Sequence, residues 1–233
     1  MFNEEAGAEI CVRAMTRALE PYGARAGLIV VDDGSSDRTR PILRALAAEL
    51  AELRYVEREA NGGYGAALRS GTERAAAEGA EYVLFMDSDL TNDPADIPRF
   101  LAAIGAGADV VKASRFRRGG GMRGVPWTRA AFSVAGNMLA AVLCGVGVRD
   151  CTNGFRAVRT ALLLRMKLRE RGFAVIMEEL WWCKALGARF AEVPVILTAR
   201  HRELRSTAFQ YRPEIFRTYL SYAIRCARGI RPE

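Results

Sequence analysis

Asp87-Ser88-Asp89 closes the apolar run Tyr82-Val83-Leu84-Phe85-Met86. Side chains alternate along a strand, so carboxylates two residues apart share a face. At the carboxyl end of a strand in an open α/β sheet, such a pair opens on the crevice where ligands gather. Two hard oxygen anions there suit a divalent cation that also holds a diphosphate. The chemistry on offer is charge neutralisation while a nucleotide diphosphate leaves a sugar. The bland alternative is a solvated turn, Asp-Ser-Asp-Leu-Thr-Asn-Asp-Pro, capping the next helix, and the motif alone does not decide between them.

The elements that must position this pair alternate. The strand Leu28-Ile29-Val30-Val31 runs into Asp32-Asp33-Gly34-Ser35-Ser36-Asp37, and a helical pattern with Ile42, Leu43, Leu46 and Leu50 follows. Leu53-Arg54-Tyr55-Val56 leads to the turn Asn61-Gly62-Gly63-Tyr64-Gly65 and a helix to about Ala77. After the strand at Tyr82 come a helix from Pro94 to Ile104 and the strand Asp109-Val110-Val111-Lys112. This alternation predicts an α/β fold with a doubly wound, mostly parallel sheet. Asn3 to Leu19 reads as the helix of a βα unit, with Asn3 as N-cap and Glu4-Glu5 in its first turn. No strand precedes it.

The second half changes character. A basic loop, Arg115-Phe116-Arg117-Arg118-Gly119-Gly120-Gly121, reads as a mobile segment over the site and precedes an apolar helix over 130–145. The turn Asp150-Cys151-Thr152-Asn153-Gly154-Phe155-Arg156 leads to another helix, and Ala191-Glu192-Val193-Pro194-Val195-Ile196 forms a further strand. We expect one domain over 1–208 and a basic amphipathic helix over 209–233, whose Phe216, Tyr219, Leu220, Tyr222 and Ile224 interleave with arginines. Packing of that helix against the domain is the competing expectation.

Composition narrows the choice. Half of the 233 residues are hydrophobic, which excludes a disordered chain, and the formal net charge of +7 favours a phosphate-bearing partner or an anionic membrane surface. No interleaved aromatic-basic module supports a nucleic-acid partner. The five cysteines show no metal-binding spacing, so a reduced, cytoplasmic chain is the economical expectation. A single histidine, His201, excludes a His-built metal site or triad.

With these pieces in order, the chain resembles glycosyltransferase family 2 of the GT-A fold, in the branch of dolichyl-phosphate mannosyltransferase and polyprenyl-phosphate glycosyltransferases. The resemblance rests on Phe2-Asn3-Glu4-Glu5, Val31-Asp32-Asp33-Gly34-Ser35, Asn61-Gly62-Gly63-Tyr64-Gly65, Asp87-Ser88-Asp89-Leu90, Ser114-Arg115-Phe116, Asp150 through Arg156, and Glu192-Val193-Pro194. Each is short; their shared order along nearly the whole chain is specific.

The resemblance implies a metal-dependent hexosyltransferase that draws on a GDP- or UDP-hexose and delivers to a polyprenyl phosphate. It implies a location at the cytoplasmic face of the membrane. Phe2, Glu4, Val31 and Asp33 would line the base and ribose pocket, with Asp32 a further candidate. Ser88 and Asp89 would sit beside the diphosphate, and Asp87, Asp89 and Thr91 would hold Mg²⁺ or Mn²⁺. Arg115 would reach a phosphate, Thr152, Asn153 and Arg156 would shape the acceptor side, and Glu178 or Glu179 would lie near the reacting sugar. Arg202 or Arg205 would replace a lysine that the family carries in its basic tail. Thr91 stands where mannosyltransferases commonly carry Gln. The family also places an apolar strand ending in Pro just before its Phe-Asn-Glu piece, which predicts a Val/Ile/Leu run upstream of Met1 and unpaired neighbouring edges without it. The rival reading is a catalytically inactive nucleotide-sugar-binding or scaffold protein.

Overall fold

The structure, a computed structural model, describes residues 1–124, 127–199 and 213–232. Helix α1 (Ala8–Leu19) buries Ala8, Cys11, Val12 and Met15, the spacing of one helical face. Strand β1 (Leu28–Asp32) alternates buried and half-buried residues, and helix α2 (Thr39–Glu49) returns the chain to strand β2 (Leu53–Glu57), parallel to β1 in register Val30 to Tyr55. Helix α3 (Tyr64–Ala77), strand β3 (Tyr82–Phe85), helix α4 (Ile97–Gly105) and strand β4 (Val110–Ser114) continue the alternation. The sequence pattern anticipated each of these.

The second half departs from simple alternation. Strand β5 (Gly121–Arg123) pairs in parallel with β8 (Ile196–Thr198), so Gly121, the last glycine of the segment expected to be a mobile loop, is bound into a ribbon. Helix α5 (Trp127–Cys144) follows, then strand β6 (Arg156–Arg159), short helix α6 (Thr160–Leu163), helix α7 (Val175–Ala185), strand β7 (Phe190–Pro194) and helix α8 (Pro213–Ala227). β6 replaces the expected direct passage into a helix. It runs antiparallel between β3 and β4, giving the order β3-β6-β4-β7.

Two cores flank the strands. One joins α1, α2 and α4 to the sheet through Val12, Leu43, Phe100 and Phe155. The other gathers α5, α7 and α8 around Cys144, Met177, Trp181 and Tyr222. Tyr222, Ala223 and Cys226 of α8 are buried in it, while Arg217, Leu220, Arg225 and Arg228 face outward. All five cysteines are buried and free. No helix among the described residues is long and apolar enough to cross a membrane.

Asn3 does not cap α1. Its φ is +52°, and its side chain accepts from the Ser36 amide instead, while Gly7 stands at the helix N-terminus without a side-chain cap.

β1 and β3 do not pair with one another. Among the described residues only Met1 meets the outer edge of β1: its amino group donates to the Val31 carbonyl and its own carbonyl accepts from the Asp33 amide at 2.8 Å. That is one rung of a parallel ladder. Beyond it, an apolar channel walled by Leu28, Ile29, Val30, Val83, Leu84 and Ile104 separates the two edges. Among the described residues these facing edges of β1 and β3 are otherwise unpaired. Five buried Val or Ile residues gain about 2 kcal/mol each against roughly 1.5 kcal/mol of ordering, before any edge hydrogen bonds. Joining such a run to Met1 is therefore expected to raise Tm by about 5–10 °C. A differential melt against an equally long Ser/Asp extension checks this, and equal midpoints would contradict it.

Candidate active site

The channel opens into a continuous cavity of about 1810 Å³ that reaches the carboxyl end of β3 and continues along α5 and α8. Phe2, Glu4, Val31 and Asp33 line one part of it together. Asp33 is held hard: Arg58 donates to it at 2.8 Å, and the Gly62 and Gly63 amides donate at 3.1 and 2.8 Å. The Gly-rich turn is thus tied to the end of β1. Its glycines are needed for close approach, since a Cβ on Gly65 would stand 2.1 Å from the Glu170 carbonyl and one on Gly63, at φ +89°, 2.6 Å from that of Arg171. Asp32 is placed elsewhere. It is fully buried, accepts from the Ser35 amide and from Arg40, and does not line the cavity.

Asp87, Ser88, Asp89 and Thr91 all line the cavity just beyond β3. Thr91 donates to Asp89 Oδ1 through both its amide (3.1 Å) and its hydroxyl (2.8 Å), which turns its hydroxyl to the carboxylate and makes it a support for Asp89. Leu90 between them has φ +52°, a conformation that is costly for a non-glycine residue and one that gathers at functional sites. Asp87 and the hydroxyl of Tyr64 both crowd Gly154, at 2.9 and 3.1 Å from where a Cβ on it would stand, with Arg156 close behind. Burial and the neighbouring Asp87 charge push the Tyr64 phenol well above its usual range, so it stays protonated.

Arg115, Thr152 and Asn153 form the facing wall. Arg115 grips fully buried Asp150 with Nε at 2.7 Å and a second nitrogen at 2.8 Å, and also donates to Thr152 Oγ1. Burial raises the Asp150 carboxyl, but its bonds and charge contact with Arg115 outweigh this and hold it below the usual range. The loop carrying Thr152 and Asn153 is pinned from behind. Glu192 accepts the Arg149 and Asp150 amides, and Asn137 of α5 bonds Arg149, Asp150 and Cys151. Buried Lys112, pushed down to about 8 by desolvation, donates to the Cys151 and Asn153 carbonyls.

The remaining expected residues stand behind the wall. Arg156 is fully buried, and its guanidinium takes Glu179 in a two-point ion pair at 2.6 and 2.7 Å. Glu178 turns to the 169–170 loop, accepting the Arg169 and Glu170 amides at 2.9–3.0 Å. Its carboxyl is raised by burial, with those amides opposing. Neither glutamate lines the cavity, because buried carboxylates take whatever donors satisfy them, and here those donors are structural. Arg202 and Arg205 lie outside the described residues.

Tyr64, Asn92, Asn137 and Glu192 are site residues that the motifs did not single out for these roles. Asn92 Oδ1 and Asn153 Nδ2, both buried in residues of the cavity wall, have no hydrogen-bond partner among the described residues. Orphaned polar atoms of this kind call for a ligand. No group of three or more His, Cys, Asp or Glu side chains fit to hold a metal occurs among the described residues. The paired aspartates therefore fit a hard cation that draws further oxygen ligands from a diphosphate and water, and no soft-metal site.

The family model of Glycosyl transferase family 2 matches residues 1–166. The chain is 33% identical over 177 residues to a polyprenol monophosphomannose synthase of Mycolicibacterium smegmatis, covering 74% of this chain and 67% of that protein. It is 31% identical over 176 residues to an undecaprenyl-phosphate mannosyltransferase of Micrococcus luteus, covering 74% and 72%. Glucosyl-3-phosphoglycerate synthase from Mycobacterium tuberculosis, solved with Mn²⁺, UDP-glucose and phosphoglyceric acid, superposes with a TM-score of 0.67 at 25% identity, over 100% of this chain and 78% of that one. The chain belongs to glycosyltransferase family 2 and is a nucleotide-sugar glycosyltransferase of the GT-A fold.

Proposed function

We propose that the protein transfers a hexose from a GDP- or UDP-sugar to a polyprenyl phosphate. The observation that carries the acceptor class is the engagement of Glu178 and Glu179. A hydroxyl acceptor needs a base to take its proton, and both glutamates offered for that work are committed to other partners. A phosphate acceptor brings its own oxyanion and needs none. The names of two relatives, a polyprenol monophosphomannose synthase and an undecaprenyl-phosphate mannosyltransferase, favour the same acceptor and make mannose the first sugar to try.

Phe2, Glu4, Val31 and Asp33 hold base and ribose. Asp87 and Asp89 hold Mg²⁺ or Mn²⁺, with Thr91 fixing Asp89, and Ser88 stands beside the diphosphate. The cation supplies neutralisation of the charge that develops on the leaving diphosphate. Asn92 and Asn153 offer their unpaired atoms to the bound substrates, and Thr152 orients the acceptor. Arg115 reaches the acceptor phosphate from its seat on Asp150.

Beyond Arg115 the cavity wall turns apolar through Leu139, Ala140, Phe216, Tyr219 and Leu220, a surface suited to a prenyl chain. Met138 and Val142 of α5 and Leu220 of α8 are exposed, and outward Arg217 lies one turn from Leu220. An anionic membrane at the cytoplasmic face would receive such a surface, with the 209–233 segment as its amphipathic element. The test is transfer of labelled hexose to polyprenyl phosphate beside polyprenol of equal length and 3-phosphoglycerate. Product with the lipid phosphate alone is expected; equal use of the alcohol would overturn the acceptor assignment.

A further inference from the structure

Among the described residues, Tyr64 in the cavity wall brings its polar end close to a proposed metal ligand. Tyr64 opens α3, and its ring stacks on Phe173 with centroids 4.7 Å apart. Its hydroxyl lies close to both Asp87 and Arg156, whose charges act on the phenol. The chemistry fixes how the three groups can share protons. A guanidinium only donates, so the phenolic oxygen can only accept from Arg156, and the single phenolic proton is left for the Asp87 carboxylate. Arg156 cannot swing away, since it is fully buried, paired twice to Glu179 and bonded to the Gly154 carbonyl at 2.8 Å.

Gly154 closes the arrangement. A Cβ there would come 2.9 Å from Asp87 Oδ2 and 3.1 Å from the Tyr64 hydroxyl, so carboxylate and phenol share one tight space against the loop backbone. Asp87 thus lies at the end of a chain running from Glu179 through Arg156 and Tyr64.

We propose that Tyr64 is a positioning residue that sets the Asp87 carboxylate for divalent-cation binding. The inference rests on the metal role proposed above for Asp87. Outer partners of metal ligands generally change metal affinity by about 10–100-fold when removed, and they do so without touching the metal. Tyr64→Phe keeps the ring and its stacking on Phe173 while deleting only the hydroxyl.

The experiment is Mn²⁺ titration by electron paramagnetic resonance on the full chain with saturating UDP, repeated with GDP, for wild type, Tyr64→Phe and Asp87→Asn. Nucleotide binding without metal and the melting midpoint are measured alongside. Tyr64→Phe is expected to weaken Mn²⁺ binding about ten-fold or more, with metal-free nucleotide affinity within two-fold of wild type. A Tyr64→Phe protein that binds Mn²⁺ within two-fold of wild type would overturn the proposal. So would a lowered melting midpoint with unchanged Mn²⁺ affinity, which is what a purely structural tyrosine gives. Failure of wild type itself to bind Mn²⁺ with either nucleotide, or wild-type affinity in Asp87→Asn, would instead remove the metal role on which it rests.

Discussion

Asp89→Asn is expected to abolish sugar transfer and leave the fold intact. Thr91 donates its amide and hydroxyl to Asp89 Oδ1, and the asparagine carbonyl can accept both bonds in the same place. What disappears is the negative charge at the carboxyl end of β3. Losing one group that stabilises developing charge in a water-poor site costs roughly 10²–10³ in rate. Stability should stay within about 0.5 kcal/mol, as for a substitution that makes no cavity and keeps both Thr91 bonds. Turnover and thermal unfolding of the same preparation give both readings. Unchanged turnover would remove the metal clamp, and a collapsed fold would show that Asp89 is only the cap of an Asp-rich turn.

The second large effect is on stability. Glu179→Ala leaves the Arg156 guanidinium fully buried with its ionic partner gone. Breaking a buried pair from one side costs about 3–5 kcal/mol, a large part of the roughly 5–15 kcal/mol that holds a domain together. Tm should fall by about 6–20 °C. Replacing both members with apolar residues of similar volume, as in Arg156→Met with Glu179→Leu, should recover much of this loss. A catalytic base would behave in the opposite way: Glu179→Ala would melt normally and turn over slowly. Equilibrium unfolding in urea separates the two.

The first half of the chain was legible because local pattern and tertiary role agree there. Val30 and Leu43 announce strand and helix by their spacing, and they are buried as that spacing demands. The aspartates after β3 were legible because the ends of strands in an alternating fold converge on one crevice. β6 was not. Its four residues, Arg-Ala-Val-Arg, carry a charge at each end, and Arg156 is tolerated inside only because Glu179, far along the chain, meets it there. The same reason hid the fates of Glu178 and Glu179. Two adjacent acids on a helix look alike in sequence, yet one caps a loop and the other pairs an arginine. Tyr64 was read within a glycine turn, and nothing local indicates that its hydroxyl would reach Asp87. Asn137 is a polar residue within an apolar helix, and nothing in the sequence points to its partners, three backbone and side-chain groups of the 149–151 turn.

The most direct measurement is the rate at which labelled hexose passes from GDP-mannose, or from UDP-glucose, into organic-extractable polyprenyl-phosphate sugar, before and after chelation. One of the donors should give lipid product with Mn²⁺ or Mg²⁺, lose it on adding EDTA, and regain it when the cation is restored in excess. Product formation that persists undiminished in EDTA would contradict the paired aspartates as a metal clamp. Absence of lipid product with every nucleotide hexose, from protein that is folded, would contradict the account as a whole.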